Sequence, residues 1–453
     1  MGPLFDQNVS ATLTPLPATA GDDNSVVGDP SKDVPSFFTY FGQFIDHDLT
    51  LDKLPLPTTF VDPNTIPNSR DPRFNLDSVY GGGPEVNPEL YEADQLHFKV
   101  NGRDLPRSCV LADPSTASTN EPCPAIINEG RNDENQVIAQ IHVAFLRAHN
   151  ALIDQGYNFQ HARELLRWQY QWIVVHEFLP EVLDAGVYAD VFRSDGSIHT
   201  KYYDPQQAFK GVMPVEFAVA AYRFGHSLVR KAYIMTVNGP KLQVFNNSIQ
   251  DLHGGRQIAT DHQIFWPNFL PVDGQAPTGQ PLTGQVAANI SRKIDTLLSS
   301  GLFGLPIPGA EPEGSVILAK RNLQRAAKYG LPSGQAVAAR LQLDDPSIHV
   351  YTNAEIAAPA AIPRLSALTT DASYKATGAT VPEAPLWLYI LAESKLVEGG
   401  LKLGPVGSRI VAEVMGGLLA GDVRSYYRRS WTPDGGVFRA QDLLGEAGVL
   451  PPN

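Results

Sequence analysis

Residues 37–50 read FFTYFGQFIDHDLT, an apolar and aromatic stretch that carries Gln43, Asp46, His47 and Asp48. A buried charge is costly unless it is paired or holds a metal, so an Asp-His-Asp run in this setting needs a chemical reason. On a helix Gln43 and His47 are four apart and share one face. Asp46 and Asp48 each lie about 100° to either side of His47. One helix could therefore aim Gln43 and His47 into a cavity, Asp46 at one wall and Asp48 at another. The plain alternative is a helix with solvated carboxylates and a hydrogen-bonded core histidine.

Three further stretches pose related questions. In NSRDPRFNLDSVYGGG, oxygen donors fall at every second position: Asp71, the carbonyl of Arg73, Asn75 and Asp77. Such a loop can wrap a hard cation that takes six to eight oxygens, with Asp48 as an outside donor, although a polar loop before a turn also explains it. The stretch GRNDENQVIAQIHVAFLRAHN sets Arg131 and Glu134 three apart at a helix start. Carboxylates suit that end of the helix dipole and a cation does not, so Arg131 is unexplained by capping. Finally, AYRFGHSLVR carries His226 beside Gly225, where the missing side chain lets a flat group approach. His142, His149 and His176 also lie on apolar helices and compete for any ligand role.

These residues need a helical frame to position them. Helical spacing predicts long helices over 36–50, over RNDENQVIAQIHVAFLRAHNALIDQGY, and over QHARELLRWQYQWIVVHEFLPEVL. PVEFAVAAYRFGHSLVR predicts another, with further helices near 286–300, 314–328, 383–397 and 404–423. Residues 51–125 and 235–285 are rich in Pro, Gly, Asn and Asp and read as loops. Strand alternation is scarce. The expectation is an extended arm over 1–35 and one large, mainly α domain over 36–453, with long loops and little sheet. Loops of that length suggest a bound cofactor. The 453 residues carry a formal charge of −13 and no basic stripe, which argues against nucleic acid. No apolar run of about 18 residues is present, so no membrane span is expected. The first residues lack signal-peptide character, and localisation stays open, secretion included. The only cysteines, Cys109 and Cys123, could form a local disulfide or remain two thiols.

Taken together, FFTYFGQFIDHDLT, RNDENQVIAQIHVAFLRAHN and AYRFGHSLVR resemble, in order and spacing, the haem peroxidases of the peroxidase-cyclooxygenase superfamily. The GPVGSRIVAEVMGGLL stretch is similar to bacterial members. The resemblance implies a mainly α domain wrapped around one haem b. It implies that His47 is the distal histidine, Gln43 its neighbouring glutamine, Arg131 the distal arginine and His226 the iron ligand. Asp46 and Glu134 fall where members form ester bonds to haem, and Arg223 lies beside the haem three residues before His226. Asp48, Asp71, Arg73, Asn75 and Asp77 resemble a calcium site, with Asn75 where aspartate is more usual. Asn135 stands where some members carry a methionine bonded to haem. The asparagine that pairs with the proximal histidine has no counterpart in APLWLYILAESKLVEGG, the stretch that aligns with it.

The implied function is reduction of hydrogen peroxide and oxidation of a small electron donor, halide or thiocyanate or phenol, through a ferryl haem radical. Two other readings stand beside it. A fatty-acid oxygenase of the same superfamily would need a tyrosine where Arg223 stands; Tyr222 is one step further from His226. A calcium-stabilised binding or adhesion protein would keep the fold without turnover.

Overall fold

The computed structural model describes residues 33–53, 59–109, 122–204, 212–246, 251–274, 288–303, 318–357 and 383–450, with the short pieces 9–11, 27–28, 206, 305 and 374–376. Among the described residues helices make up about half and strands 7%, so the mainly α expectation holds. Most of the arm assigned to 1–35, and residues 314–317 at the start of one expected helix, lie outside the described residues. Two short pieces of the arm are paired as strands: Val9–Ala11 with Tyr374–Ala376, and Val27–Gly28 with Ala288–Asn289.

Four helices frame the site: α1 (Ser36–Leu49), α2 (Asp77–Tyr80), α3 (Gln136–Asp154) and α4 (Phe159–Ile173). The aromatic residues of α1 explain its place. Phe44 is fully buried, stacks on Phe145 of α3 at 4.6 Å and meets Tyr170 of α4 edge-on. Phe41 meets Tyr170 and Phe178 edge-on in the same core. The aromatic face of α1 is thus committed to packing, and the polar residues are confined to what remains. After α4 the chain widens into a π turn at Val174–Phe178 before Leu179–Val182. Pro180 in that segment has no N–H to donate, and a widened turn is a common way to absorb such an interruption.

Two expected helices differ. The 214–230 stretch is not one helix but a π turn (Glu216–Ala220), a 3-10 turn (Ala221–Phe224) and one α turn (Gly225–Leu228). The break sits at Ala220, with φ −128° and ψ −72°. Over 286–300, Ile290, Ile294 and Leu298 are buried at four-residue spacing, yet the described part of this stretch forms the strand Ala288–Asn289, bends and the start of the 3-10 turn Ser300–Phe303. Its amides are spent on distant partners instead of a helix ladder: Ser291 N–H donates to Val34 O, Arg292 N–H to Leu228 O and Ile294 N–H to Gly400 O. The helices Leu318–Lys328, Leu386–Val397 and Pro405–Gly421 fall where the spacing placed them. Cys109 and Cys123 are joined in a disulfide. Among the described residues no helix is long and apolar enough to cross a membrane.

Candidate active site

His47 leaves α1 buried, with Nδ1 2.8 Å from Oδ1 of Asn132. An amide oxygen only accepts, so His47 carries its proton on Nδ1 and keeps a lone pair on Nε2. In this arrangement Nδ2 of Asn132, 2.9 Å from Nδ1 of His142, donates to it with His142 protonated on Nε2. Burial first, and the Arg131 charge second, push the His47 pKa down to about 3. His47 is therefore neutral at ordinary pH.

Arg131 lies in the 3-10 turn Gly130–Asp133 that precedes α3. Its Nη2 donates to the carbonyls of His47 (3.2 Å) and Thr50 (2.6 Å), and its Nε and Nη2 donate to Glu129 at 3.0 and 2.9 Å. The arginine that suits the start of α3 badly thus caps the end of α1, where orphan carbonyls welcome a cation. Nη1 of Arg131 is the terminal nitrogen left outside these bonds. Glu129 also binds Arg70 through Nε at 3.0 Å. Burial would raise its pKa, but the Arg131 and Arg70 guanidiniums hold the carboxyl down to about 2. Glu129 is a buried hub between two arginines, and the sequence reading missed it.

Gln43 donates from Nε2 to Glu134 Oε2 and accepts at Oε1 from Asn135 Nδ2, both at 3.2 Å. Asn135 also caps α3, accepting from Val137 N–H and Ile138 N–H. Asp46 accepts from Thr50 Oγ1 at 2.9 Å. Burial raises the Asp46 pKa, opposed by Arg131 and Arg223. Glu134 is pushed up to about 7, by burial first, with Arg131 opposing and Glu129 and Asp46 adding. Glu134 is exposed, and Gln43 and Asp46 partly so, yet Glu134 and Asp46 are surrounded by protein deeply enough to be strongly desolvated. The space they face is therefore an internal hollow. Nothing lies within 4 Å of where a Cβ on Gly225 would project, so open space also adjoins His226.

Nδ1 of His226 lies 2.8 Å from the Nδ2 end of the Asn322 amide, on the Leu318–Lys328 helix. The amide beside His226 thus comes from the Leu318–Lys328 helix, earlier in the chain than APLWLYILAESKLVEGG, which has no asparagine. The expected stretch does approach, but contributes Trp387, whose indole donates to Arg223 O at 3.1 Å. Arg223 donates to Ala218 O and to Asn322 Oδ1. A histidine that gives Nε2 to a metal carries its proton on Nδ1; pairing that proton with Asn322 requires the amide to turn its oxygen to the ring, which gives up the bond from Arg223. Burial and Arg223 lower the His226 pKa to about 3, leaving it neutral. The rival histidines are engaged elsewhere. His149 bonds Tyr80 Oη and Leu96 O, His176 meets Tyr426 Oη, and His142 serves Asn132.

The cation candidates assemble in part. Asp48 is fully buried and accepts from Leu76 N–H and from Ser78 N–H and Oγ–H. Burial, with Asp77 adding, pushes its pKa up to about 8. Asp77 is raised too, and its Oδ1 is buried without a hydrogen bond. Asp71 instead turns Oδ2 to Arg73 Nη1 and Asn75 Nδ2. Among the described residues no three acidic, His or Cys side chains meet in metal-holding geometry.

The pattern of the animal haem peroxidase family matches residues 58–443. That range contains Arg131, Glu134, His226 and Asn322; the helix bearing Gln43, Asp46 and His47 precedes it. A peroxidase-like protein of Margaritifera margaritifera is 27% identical over 358 residues, covering 65% of this chain and 44% of that protein. Thyroid peroxidase of Mus musculus is 25% identical, covering 81% of this chain and 38% of its own length. The chain thus spans less than half the length of these relatives. Among solved structures, peroxidase A from Dictyostelium discoideum superimposes with a TM-score of 0.66 at 18% identity, covering 100% of this chain and 94% of that one. A fatty acid alpha-dioxygenase from Arabidopsis thaliana follows with 0.56 at 15% identity, covering 94% and 71%. With the family pattern covering most of its length, the chain belongs to the animal haem peroxidases.

Proposed function

We propose that this chain binds haem b with His226 as the iron ligand and uses it to reduce hydrogen peroxide at the expense of a small donor. The observation that carries the reading is the pairing of a neutral His47, held through Nδ1 by Asn132, with Arg131 anchored against the end of the same helix. The residues fit the group: an internal hollow, open space beside Gly225, and a neutral His226 with an amide on Nδ1. Arg223 and Arg325 add cationic groups for haem carboxylates; Nε of Arg325 makes no hydrogen bond, though it lies 3.8 Å from Oδ2 of Asp52.

When bound, haem supplies the iron at which the O–O bond breaks and from which the donor is oxidised. His47 takes the proton from the near oxygen of peroxide on Nε2 and returns it to the far oxygen, which leaves as water. Arg131 stabilises the charge that develops between the two oxygens. Gln43, held at both ends by Glu134 and Asn135, offers a fixed amide to water or a small anion. Asp46 and Glu134 are the two carboxyls available to esterify haem, and their raised pKa values mark how poorly the site tolerates them as anions. Asp48 and Asp77, with carbonyls of the 71–77 loop, would hold calcium: a buried and a half-buried carboxylate of raised pKa, the second 3.6 Å from Arg70 Nη1, suit a divalent cation. Arg223 at the oxygenase tyrosine position argues against the fatty-acid reading. The test is stopped-flow spectroscopy of haem-loaded protein mixed with hydrogen peroxide, then with bromide, iodide, thiocyanate or guaiacol. A Soret band that peroxide leaves unchanged would overturn the proposal.

A further inference from the structure

Away from the haem site, α4 buries a guanidinium that no carboxylate pairs directly. Arg167 is 5% exposed, its Nε is sealed without a hydrogen bond, and among the described residues it forms no hydrogen bond or ion pair through its other nitrogens. Arg163 lies four residues earlier on the same face of α4. It rests on the Tyr80 ring, 4.9 Å from the centroid, and its Nε is also buried and unpaired. Arg424 lies alongside α4: its carbonyl accepts from Trp168 Nε1 at 2.9 Å, and its charge acts on Arg167. The cluster is graded in depth: Arg167 is buried, Arg163 half-buried and Arg424 exposed.

The neighbouring acid does not balance it. Asp422 accepts from Arg424 N–H at 3.0 Å and lies 3.9 Å from Arg424 Nε, but comes within pairing distance of neither Arg163 nor Arg167. Tyr80 is the other titratable group facing Arg167, and burial keeps its hydroxyl protonated. One acid therefore faces three guanidiniums. An unpaired buried charge is strongly destabilising, and planar guanidiniums favour a partner that accepts two parallel hydrogen bonds.

We propose that Arg163, Arg167 and Arg424 form a binding site for a small inorganic oxyanion of the phosphate or sulfate type, separate from the haem site. Arg167 forms its floor and Arg424 its mouth. Burial together with the Arg424 and Arg163 charges lowers the Arg167 pKa, the direction a resident anion would reverse. Because Arg163 rests on Tyr80, the anion would brace α2 from behind.

The test is thermal unfolding of the haem-loaded protein, dialysed free of excess calcium, in potassium phosphate and in potassium chloride of equal ionic strength, with sulfate as a second probe. Phosphate should raise Tm saturably, by roughly 3 °C over chloride at a hundredfold excess above Kd. Arg167→Gln should abolish that gain, and Arg424→Gln should weaken the affinity about tenfold, one charge-assisted contact being worth that much. Arg103→Gln, at an exposed position outside the cluster, should keep the full response. If Arg167→Gln does not fold, Arg424→Gln decides. Equal melting in phosphate and chloride, or an unchanged phosphate response in the Arg167 or Arg424 variant, would overturn the site.

Discussion

Oδ1 of Asn132 stands 2.8 Å from Nδ1 of His47, and the same amide reaches His142 on its other side. One asparagine therefore decides which nitrogen of His47 is basic. Without it the ring can turn or change tautomer.

Asn132→Leu should retain haem but slow the reaction with peroxide by about 10–100-fold, as loss of an orienting partner does. His47→Ala should slow it by about 10² or more, as removal of a general acid-base group does. Stopped-flow traces at several peroxide concentrations measure both. Equal rates in Asn132→Leu and the parent would show that His47 needs no such partner.

His226→Ala should lose stoichiometric haem or give an abnormal iron spectrum. His142→Ala, His149→Ala and His176→Ala should each keep a normal one, because those rings are engaged by Asn132, Tyr80 or Tyr426. A normal spectrum from His226→Ala would remove it as the ligand. Asn322→Leu is expected to keep haem but shift the reduction potential, which redox titration reads.

Calcium affinity should depend on pH with a defined sign. Burial and Asp77 keep Asp48 protonated up to about pH 8. Binding must release that proton, so affinity should fall about tenfold per unit as pH drops below about 8, and level off above it. Competition with a fluorescent chelator between pH 6 and 9 measures this. Asp48→Asn should lower affinity and flatten the slope; a pH-independent affinity in the parent chain would refute the assignment.

Glu134 offers a stability test on the haem-free chain. Its folded pKa of about 7 lies above the usual value of about 4.5. The stability it contributes is fully present below about pH 4.5 and is lost as pH rises through 7. Glu134→Gln should therefore melt higher than the parent at pH 8, with the difference shrinking towards pH 4.5. Parallel melting curves across that range would contradict it.

Ester bonds should tie haem to Asp46 and Glu134 after turnover with peroxide. Acid-acetone extraction should leave haem with the chain, and mass analysis of peptides should place it on these two residues. Asp46→Asn and Glu134→Gln should each release more haem. Complete extraction from peroxide-treated parent protein would exclude the bonds.

Local information in the sequence was enough for α1, α3 and α4, because aromatic and aliphatic residues recur at helical spacing and distant carbonyls take only first-turn amides, as Phe269 and Leu252 do for Phe37 and Gln136. It was also enough to single out Gln43, Asp46, His47, Arg131, Glu134 and His226, whose types and neighbours are unusual for apolar helices. What spacing could not supply was any relation between distant segments. The 286–300 stretch has helical periodicity, yet Val34, Leu228 and Gly400 take its amides or carbonyl-seeking donors first. The His226 segment breaks into π, 3-10 and α turns, which only packing against its neighbours can stabilise over a continuous helix. Arg131 looked misplaced at the start of α3 because its true partners are Glu129 and the carbonyl end of α1. Asn322 and Glu129 carried no local signal at all. A single polar residue acquires such a role only when the tertiary structure sets a partner within hydrogen-bonding distance and removes the water that would otherwise compete for it.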